Sequence, residues 1–190
     1  MLFRSCGRPV LILGILASSI SGSKAVTNSY ESIATATVGA GGVSGVSFSS
    51  IPSTYQHLQL RLFFNTAGAN NYSLIKINSD STDANYYVHY LYGNGSTVTA
   101  GAASSNRTLY FNYPTTSNQF GVAVIDFLDY ISVDKYKTIR TLAGYDSNGS
   151  GLAEFSSNLW KSTSAINRID IDGASNLAQY SHAALYGIKA

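Results

Sequence analysis

The chain has 190 residues, of which 45% are hydrophobic and only 12% are charged, with a net charge of +2 at neutral pH. This length fits one domain of roughly 150 residues plus a short extension, and the hydrophobic content excludes a disordered chain. The small charge and the scattered Lys and Arg residues argue against a nucleic-acid partner, and a single cysteine, Cys6, excludes an internal disulfide framework.

The first 28 residues differ in composition from the rest of the chain. Arg4 and Arg8 precede a short apolar run, which we interpret as part of an N-terminal attachment arm over residues 1–28. The apolar side chains expected to bind another protein are Leu11, Ile12, Leu13, Ile15 and Leu16. Burying five such side chains contributes about 8–15 kcal/mol, whereas ordering a dozen residues costs about 12–24 kcal/mol. The attachment of a single arm is therefore marginal, so we expect several arms to act together in a homo-oligomer. A trimer is the favoured oligomer.

The same segment also has the layout of a secretory signal, which is the alternative interpretation. A basic start and a short apolar core are followed by small residues around Lys24. Gly14 interrupts an apolar run that is already short for a signal, and a helix that spans a bilayer needs about 20 apolar residues. We therefore predict an arm and no membrane span. Under the alternative, the protein is a secreted carbohydrate-binding or carbohydrate-active protein with a cleaved signal peptide.

From residue 29 to residue 190 the chain alternates short β-type runs with breaks rich in Gly, Ser and Asn. The run Leu58, Leu60, Leu62 and Phe64 has a period of two residues, which is typical of a half-buried strand. The predicted strands are 32–38, 43–51, 57–65, 74–78, 86–92, 107–113, 121–130, 138–145, 153–161, 168–171 and 181–188. Strands at this spacing indicate a β-sandwich or barrel. We predict an all-β, jelly-roll-like β-sandwich with an extended N-terminal arm.

Two placements within this domain follow from the strand pattern. The run at 180–189 is rich in Ala and Leu, so we expect a core strand that lies beside an early strand. In the strand that follows Tyr136, Ile139 is expected to point inward. Lys137 and Arg140 are expected to face outward or to pair with a nearby carboxylate.

A Tyr-rich segment is the candidate ligand-facing surface. Aromatic rings with a polar tip suit a glycan ligand. The residues of this surface are Tyr86, Tyr87, Tyr90, Tyr92 and Asn94, with Trp160 as a further candidate. Trp160 follows Leu159 in an all-β body, so a core position is favoured for it over a sugar-stacking platform.

Catalytic and metal-binding patterns are weak in this sequence. His57, His89 and His182 fall inside predicted strands without the spacing of a metal site. The oxygen-rich stretches 80–83 and 146–149 are read as turns because they lack a twelve-residue calcium loop with its closing Glu. There is no phosphate loop and no nucleophile elbow. We therefore predict a protein with no enzymatic activity, no cofactor and no metal.

Several stretches of the chain resemble a family of tailed-bacteriophage virion structural proteins. They are residues 30–38 (YESIATATV), 48–61 (FSSIPSTYQHLQLR), 90–96 (YLYGNGS), 125–130 (IDFLDY), 136–144 (YKTIRTLAG), 184–189 (ALYGIK) and, in the arm, 14–22 (GILASSISG). The resemblance spans nearly the whole chain. Members of the family are described as structural, tail or decoration proteins.

The resemblance implies a protein on the exterior of a phage particle. We expect a capsid cement or decoration protein whose arm binds other virion proteins, namely the major capsid, collar or tail proteins. The alternative is a tail- or fibre-associated module that binds a host-surface glycan. Neither interpretation involves nucleic acid or a membrane as a partner.

Overall fold

The computed structural model describes residues 29–66, 68, 72–104 and 109–189. The predicted arm and its five apolar residues lie outside these ranges. The described residues form twelve β-strands and one short 3-10 helix. These are Tyr30–Thr37 (β1), Val43–Phe48 (β2), His57–Phe64 (β3), Tyr72–Ile77 (β4), the helix Asp83–Asn85, Tyr86–Gly93 (β5), Val98–Ser104 (β6), Leu109–Asn112 (β7), Gly121–Phe127 (β8), Lys137–Asp146 (β9), Gly151–Trp160 (β10), Ile169–Leu177 (β11) and His182–Ile188 (β12).

The strands form two antiparallel sheets, which confirms the predicted all-β sandwich. The large sheet has the order β1-β12-β3-β8-β9-β10-β5-β6, and the small sheet has the order β2-β11-β4-β7. The small sheet has half as many strands, so it covers only part of one face of the large sheet. The other face of the large sheet has no covering layer among the described residues. These two faces are called the inner and the outer face below.

The hydrophobic core lies between the two sheets. Leu58, Leu60, Leu62 and Phe64 alternate along β3 and are buried, as their two-residue period predicts. From the small sheet they meet buried side chains of β4, β7 and β11, which are Ile75, Ile77, Phe111, Ile169 and Ile171. The core therefore joins strands that are far apart in the sequence.

Most strands agree with the sequence prediction, and the exceptions have a common cause. β12 lies between β1 and β3, which confirms that the last run is a core strand beside an early one. β6 was not predicted, and β11 extends to Leu177, well beyond the predicted end at residue 171. Both stretches are rich in Ala, Gly and Ser, which carry a weak strand signal of their own. Their strand state comes from pairing with β5 and with β2 and β4.

The expected outward position of Lys137 is wrong. Ile139 points inward as predicted, and Lys137, two residues earlier on the same strand, must share its face. The buried ammonium donates hydrogen bonds to the carbonyl oxygens of Ser132 at 2.6 Å, Lys135 at 3.1 Å and Thr163 at 3.3 Å. Burial, together with the nearby Lys135 charge, lowers the pKa of Lys137. Lys137 therefore closes the end of the core by binding three backbone carbonyls.

Candidate functional site

The predicted ligand-facing surface is divided between the two faces of the large sheet. Successive residues of β5 point to opposite faces, so Tyr87 lies on the outer face while Tyr86, Tyr90 and Tyr92 lie on the inner face. The rings of Tyr90 and Tyr92 stack on each other with centroids 6.0 Å apart. Both are half-buried, and the Tyr90 ring covers Gly101 of the neighbouring strand. These tyrosines therefore do not form one continuous aromatic platform.

Tyr86 and Trp160 lie in the core, so the prediction that they face a ligand is wrong, whereas the core position favoured for Trp160 is confirmed. Each is only 3% exposed. Asp80 is their common partner: its carbonyl oxygen accepts from the Tyr86 hydroxyl at 3.0 Å, and its Oδ2 accepts from Trp160 Nε1 at 2.8 Å. Burial raises the pKa of Tyr86 to about 12. For Asp80, burial alone would raise the pKa, but hydrogen bonds from Trp160, Asn85 and Thr82 outweigh it and lower the pKa.

Asn94 has a structural role in the turn between β5 and β6. Its side-chain Oδ1 accepts hydrogen bonds from the backbone N–H groups of Ser96 at 3.0 Å and Thr97 at 2.8 Å. An Asn that satisfies the backbone two and three residues ahead is a common way to stabilise a tight turn. Its side-chain oxygen is therefore already used within the chain.

The outer face of the large sheet carries an exposed apolar ridge. Leu142 of β9 lies directly opposite Phe155 of β10, which in turn lies opposite Leu91 of β5. All three side chains are exposed, Leu142 to 63%. Side chains that face each other across neighbouring strands are about 5 Å apart, so the three form one continuous ridge across the strands.

A shallow apolar groove runs beside this ridge. The next row of cross-strand partners has Gly144, Ala153 and Gly93 at its centre, where side chains are small or absent. Val98, which is 76% exposed, closes one end, and Val122 and Phe63 lie at the other. The part of the groove beside Phe155 is a depression of about 250 Å³. Ridge and groove together are called the apolar face.

The size of the apolar face is that of a functional patch. It crosses six strands, from β3 to β6, and is therefore about 24 Å long and about 14 Å wide. An area of about 300–400 Å² matches the largest patch of a typical monomer, which is often functional. On one side it is bordered by a polar row that contains Asp126, Arg140 and His89. An apolar centre with a polar border is the usual anatomy of a protein interface.

A buried polar group lies on the inner face, where the small sheet ends. Glu154 of β10 is buried, and its Oε2 accepts a hydrogen bond from Asn112 Nδ2 at 3.0 Å. Burial raises the pKa of this carboxyl above its usual 4.5 and outweighs the opposite effect of Asn112. On the same face of the sheet, Thr141 Oγ1 and Asn158 Oδ1 lie two and four positions further along, and both are buried without a hydrogen-bond partner among the described residues. Burial on the inner face therefore opposes ionisation of Glu154, although Asn112 favours it.

We expect Glu154→Gln to stabilise the protein at pH 7 by about 1 kcal/mol, because a neutral amide replaces a buried carboxylate. Because the folded-state pKa is raised, the native state holds the proton more tightly than the unfolded state. The wild-type protein should therefore lose stability as pH rises from about 4.5 through the folded-state pKa. Urea denaturation of the wild-type protein and of Glu154→Gln between pH 3.5 and pH 8 measures their difference in stability. The stabilisation by the substitution should vanish at pH 3.5.

Glu31 is the matched control for this prediction. Its side chain is half-buried, and hydrogen bonds from Lys189 and Tyr55 lower the pKa of its carboxyl. Because the pKa of Glu31 is lowered and not raised, its ionisation stabilises the native state. Glu31→Gln should therefore lower the free energy of unfolding at neutral pH and leave it unchanged in acid. If Glu154→Gln is the less stable variant at pH 7, the carboxylate is stabilised in the native state and the interpretation of this region is incorrect.

The three histidines lie in separate places and two of them have structural partners. His57 Nδ1 accepts from the backbone N–H of Asp129 at 2.9 Å, and His182 Nδ1 is 2.9 Å from the Thr37 hydroxyl. His89 belongs to the polar row on the outer face. Within the described ranges, no three His, Cys, Asp or Glu side chains gather as metal ligands would.

Comparison with known proteins leaves the family of this chain open. The chain matches no protein-family model and no curated protein. The resemblance to phage virion proteins therefore stays a prediction from the sequence. In the part of the chain that the structure describes, no helix has both the length and the apolar character needed to span a bilayer.

Proposed function

We propose that this chain is a non-enzymatic structural protein of a tailed-phage virion that assembles in several copies on the particle exterior. The observation that carries the proposal is the apolar face. A chain with 12% charged residues that keeps Leu142, Phe155 and Leu91 exposed in one row is suited to assembly, since an apolar patch of this size is often functional. The family resemblance supports a virion as the setting.

The occupant of the apolar face in this proposal is a second copy of the chain. Ridge and groove are parallel and about 7 Å apart, so the ridge of one copy fits the groove of another while its own groove receives the partner's ridge. Such reciprocal contact is the requirement for a self-complementary interface. The apolar face alone covers about half of the roughly 800 Å² per partner of a standard interface, and the polar row beside it adds to this area. A reciprocal contact of this kind closes as a dimer. The trimer predicted from the sequence would need a different contact, and the mass of the assembly distinguishes the two.

We also infer that the sandwich is a jelly roll enlarged by two hairpins. Without β5–β6 and β9–β10, eight strands remain in two sheets of four, ordered β1-β12-β3-β8 and β2-β11-β4-β7. Along the chain, every connection among these eight strands crosses to the other sheet, except the one from β4 to β7. Eight strands in two sheets describe a jelly roll, a fold used by viral capsid and lectin domains.

The position on the particle follows from the proposed arm. Residues 1–28 would bind a capsid, collar or tail protein, and several arms held together by the assembled bodies would act as one multivalent anchor. The cement or decoration role is favoured because a multivalent anchor suits a protein that is present in many copies. The tail- or fibre-associated role needs few copies and a ligand site on the body.

Quantitative mass spectrometry of purified particles tests the proposal by the copy number of this chain relative to the major shell protein. Hundreds of copies are expected for a decoration protein, and a few to a few dozen would instead indicate the tail, collar or fibres. A variant that lacks residues 1–28 should fold, as judged by its denaturation curve, and should fail to bind particles. Absence of the chain from purified particles would contradict a virion role.

A further inference from the structure

A cavity of about 370 Å³ lies at one end of the sandwich, away from the residues predicted to face a ligand. It opens where β3 ends, where the chain enters β8, and where the connection from β11 to β12 crosses. The side chains that give it its chemistry are Thr115, Ser117, Asn118, Phe120, Gln179 and Tyr180. None of the described lining residues is charged. The cavity is therefore both aromatic and polar, but neutral.

Tyr180 is held at this cavity in an unfavourable backbone conformation. Its φ is +73°, in the left-handed region that bulky residues avoid, and its side chain is 68% exposed. The backbone around it is firmly bound: Tyr180 N donates to Val38 O at 2.9 Å, and Ser181 N donates to Ala178 O at 3.1 Å. An exposed ring contributes little to folding, and Gly would adopt this φ without strain. Strain of this kind, kept at a cavity, points to a role in binding.

The opposite side of the cavity is also fixed before any ligand arrives. Phe120 stacks on Phe63 with ring centroids 4.7 Å apart and an angle of 5° between the rings. Asn65 Nδ2 donates to the carbonyl oxygen of Thr116 at 2.8 Å and to that of Gln119. These contacts tie the connection between β7 and β8 to the end of β3. The two aromatic rings are therefore presented by rigid backbone, which lowers the entropic cost of binding.

We propose that this cavity binds a short neutral saccharide. Aromatic rings pack against the apolar faces of a sugar, while hydroxyl and amide side chains bind its hydroxyl groups, and the lining of Tyr180, Phe120, Asn118 and Gln179 supplies both. The absence of charge among the described lining residues disfavours a phosphate or a carboxylate ligand. The volume, near the lower end of the range for small-molecule sites, holds about one or two sugar rings.

This site does not depend on the virion proposal, because none of its lining residues belongs to the apolar face or to residues 1–28. It adjoins the apolar face only where Phe120 stacks on Phe63. A decoration protein and a tail protein could both use it to hold a particle at a glycan-coated surface. It also differs from the Tyr-rich segment predicted from the sequence, since it shares no residue with that segment.

Saturation-transfer NMR on the full chain tests the proposal. The probes are neutral trisaccharides of glucose, galactose, mannose, rhamnose and N-acetylglucosamine, with a trimer of galacturonic acid as the charged comparison. We expect at least one neutral probe to bind. Tyr180→Ala should weaken that binding about tenfold, since the ring supplies much of the apolar contact. Tyr180→Phe should change it less than threefold.

Two further variants separate binding from folding. Tyr180→Gly relieves the backbone strain, so it should raise the midpoint of urea denaturation while it weakens sugar binding as much as Tyr180→Ala does. Tyr136→Ala removes another exposed tyrosine, outside the cavity, and should leave binding unchanged. The proposal is overturned if no neutral probe binds, if the charged trimer binds best, or if Tyr180→Gly binds like the wild-type protein.

Discussion

Leu142→Lys is expected to separate the assembled protein into monomers and to leave the fold intact. Leu142 is the most exposed member of the ridge, so the substitution alters little of what stabilises a single body, and its effect on the free energy of unfolding should stay within about 0.5 kcal/mol. In a contact between two copies, the new ammonium would be buried without a partner. We expect the free energy of association to become about 3 kcal/mol less favourable, which raises the dissociation constant more than 100-fold.

Sedimentation equilibrium at micromolar concentration measures this change as a fall of the mass to that of one chain, 20.2 kDa. Thr138→Lys is the matched control, because Thr138 lies on the same strand and the same outer face but four residues away from the ridge. That variant should keep the wild-type mass. A wild-type protein that is already monomeric in this range would contradict the proposed self-association.

Trp160→Ala is expected to have the largest effect on stability, about 3–5 kcal/mol. The indole is buried between the sheets, and its Nε1–H satisfies Asp80, whose carboxyl group is itself partly withdrawn from water. The variant therefore leaves a cavity and removes a hydrogen bond to a charged acceptor. For a domain of this size each kcal/mol corresponds to about 2–4 °C, so Tm should fall by about 6–20 °C.

Trp160→Phe divides this effect into its two parts. The phenyl ring keeps most of the packing and cannot donate to Asp80, so a loss of about 1.5–3 kcal/mol is expected from the charged hydrogen bond alone. Asp80 keeps its hydrogen bonds from Asn85 Nδ2 at 2.8 Å and from the backbone of Thr82 at 2.9 Å. Thermal denaturation of Trp160→Ala and Trp160→Phe in parallel measures how the loss of stability divides between packing and the hydrogen bond. A cost below about 1 kcal/mol for Trp160→Ala would mean that the indole is not part of the core.

The all-β state and most of the strands could be predicted from the sequence because they depend on local patterns. The alternation of Leu58, Leu60, Leu62 and Phe64 indicates a strand with one buried face whatever lies against it. The Gly-rich breaks likewise indicate turns through their own backbone freedom. The prediction failed at β6, whose Ala, Gly and Ser residues become a strand only because β5 offers them a partner.

Which face of each strand is buried was decided by the tertiary structure. Periodicity separates Tyr86 from Tyr87, and Thr141 from Leu142, but it does not say which member of each pair meets the other sheet. In β9 the exposed Leu142 is as apolar as the buried Ile139, so hydrophobicity alone would place both inside. Because the small sheet covers only one face of the large sheet, the apolar side chains on the other face stay exposed and form the ridge.

The proposed ligand site depends still more on tertiary structure. The cavity joins the end of β3, the entry to β8 and the turn that holds Tyr180, which lie far apart in the sequence. The left-handed conformation of Tyr180 is held by its hydrogen bond to Val38 and by the hydrogen bonds of its neighbour Ser181, and no residue type next to it signals this. The sequence by itself therefore determined the strands and their two-residue pattern, which arise from neighbouring residues. The tertiary structure decided the apolar face and the cavity, because both arise from contacts between distant strands.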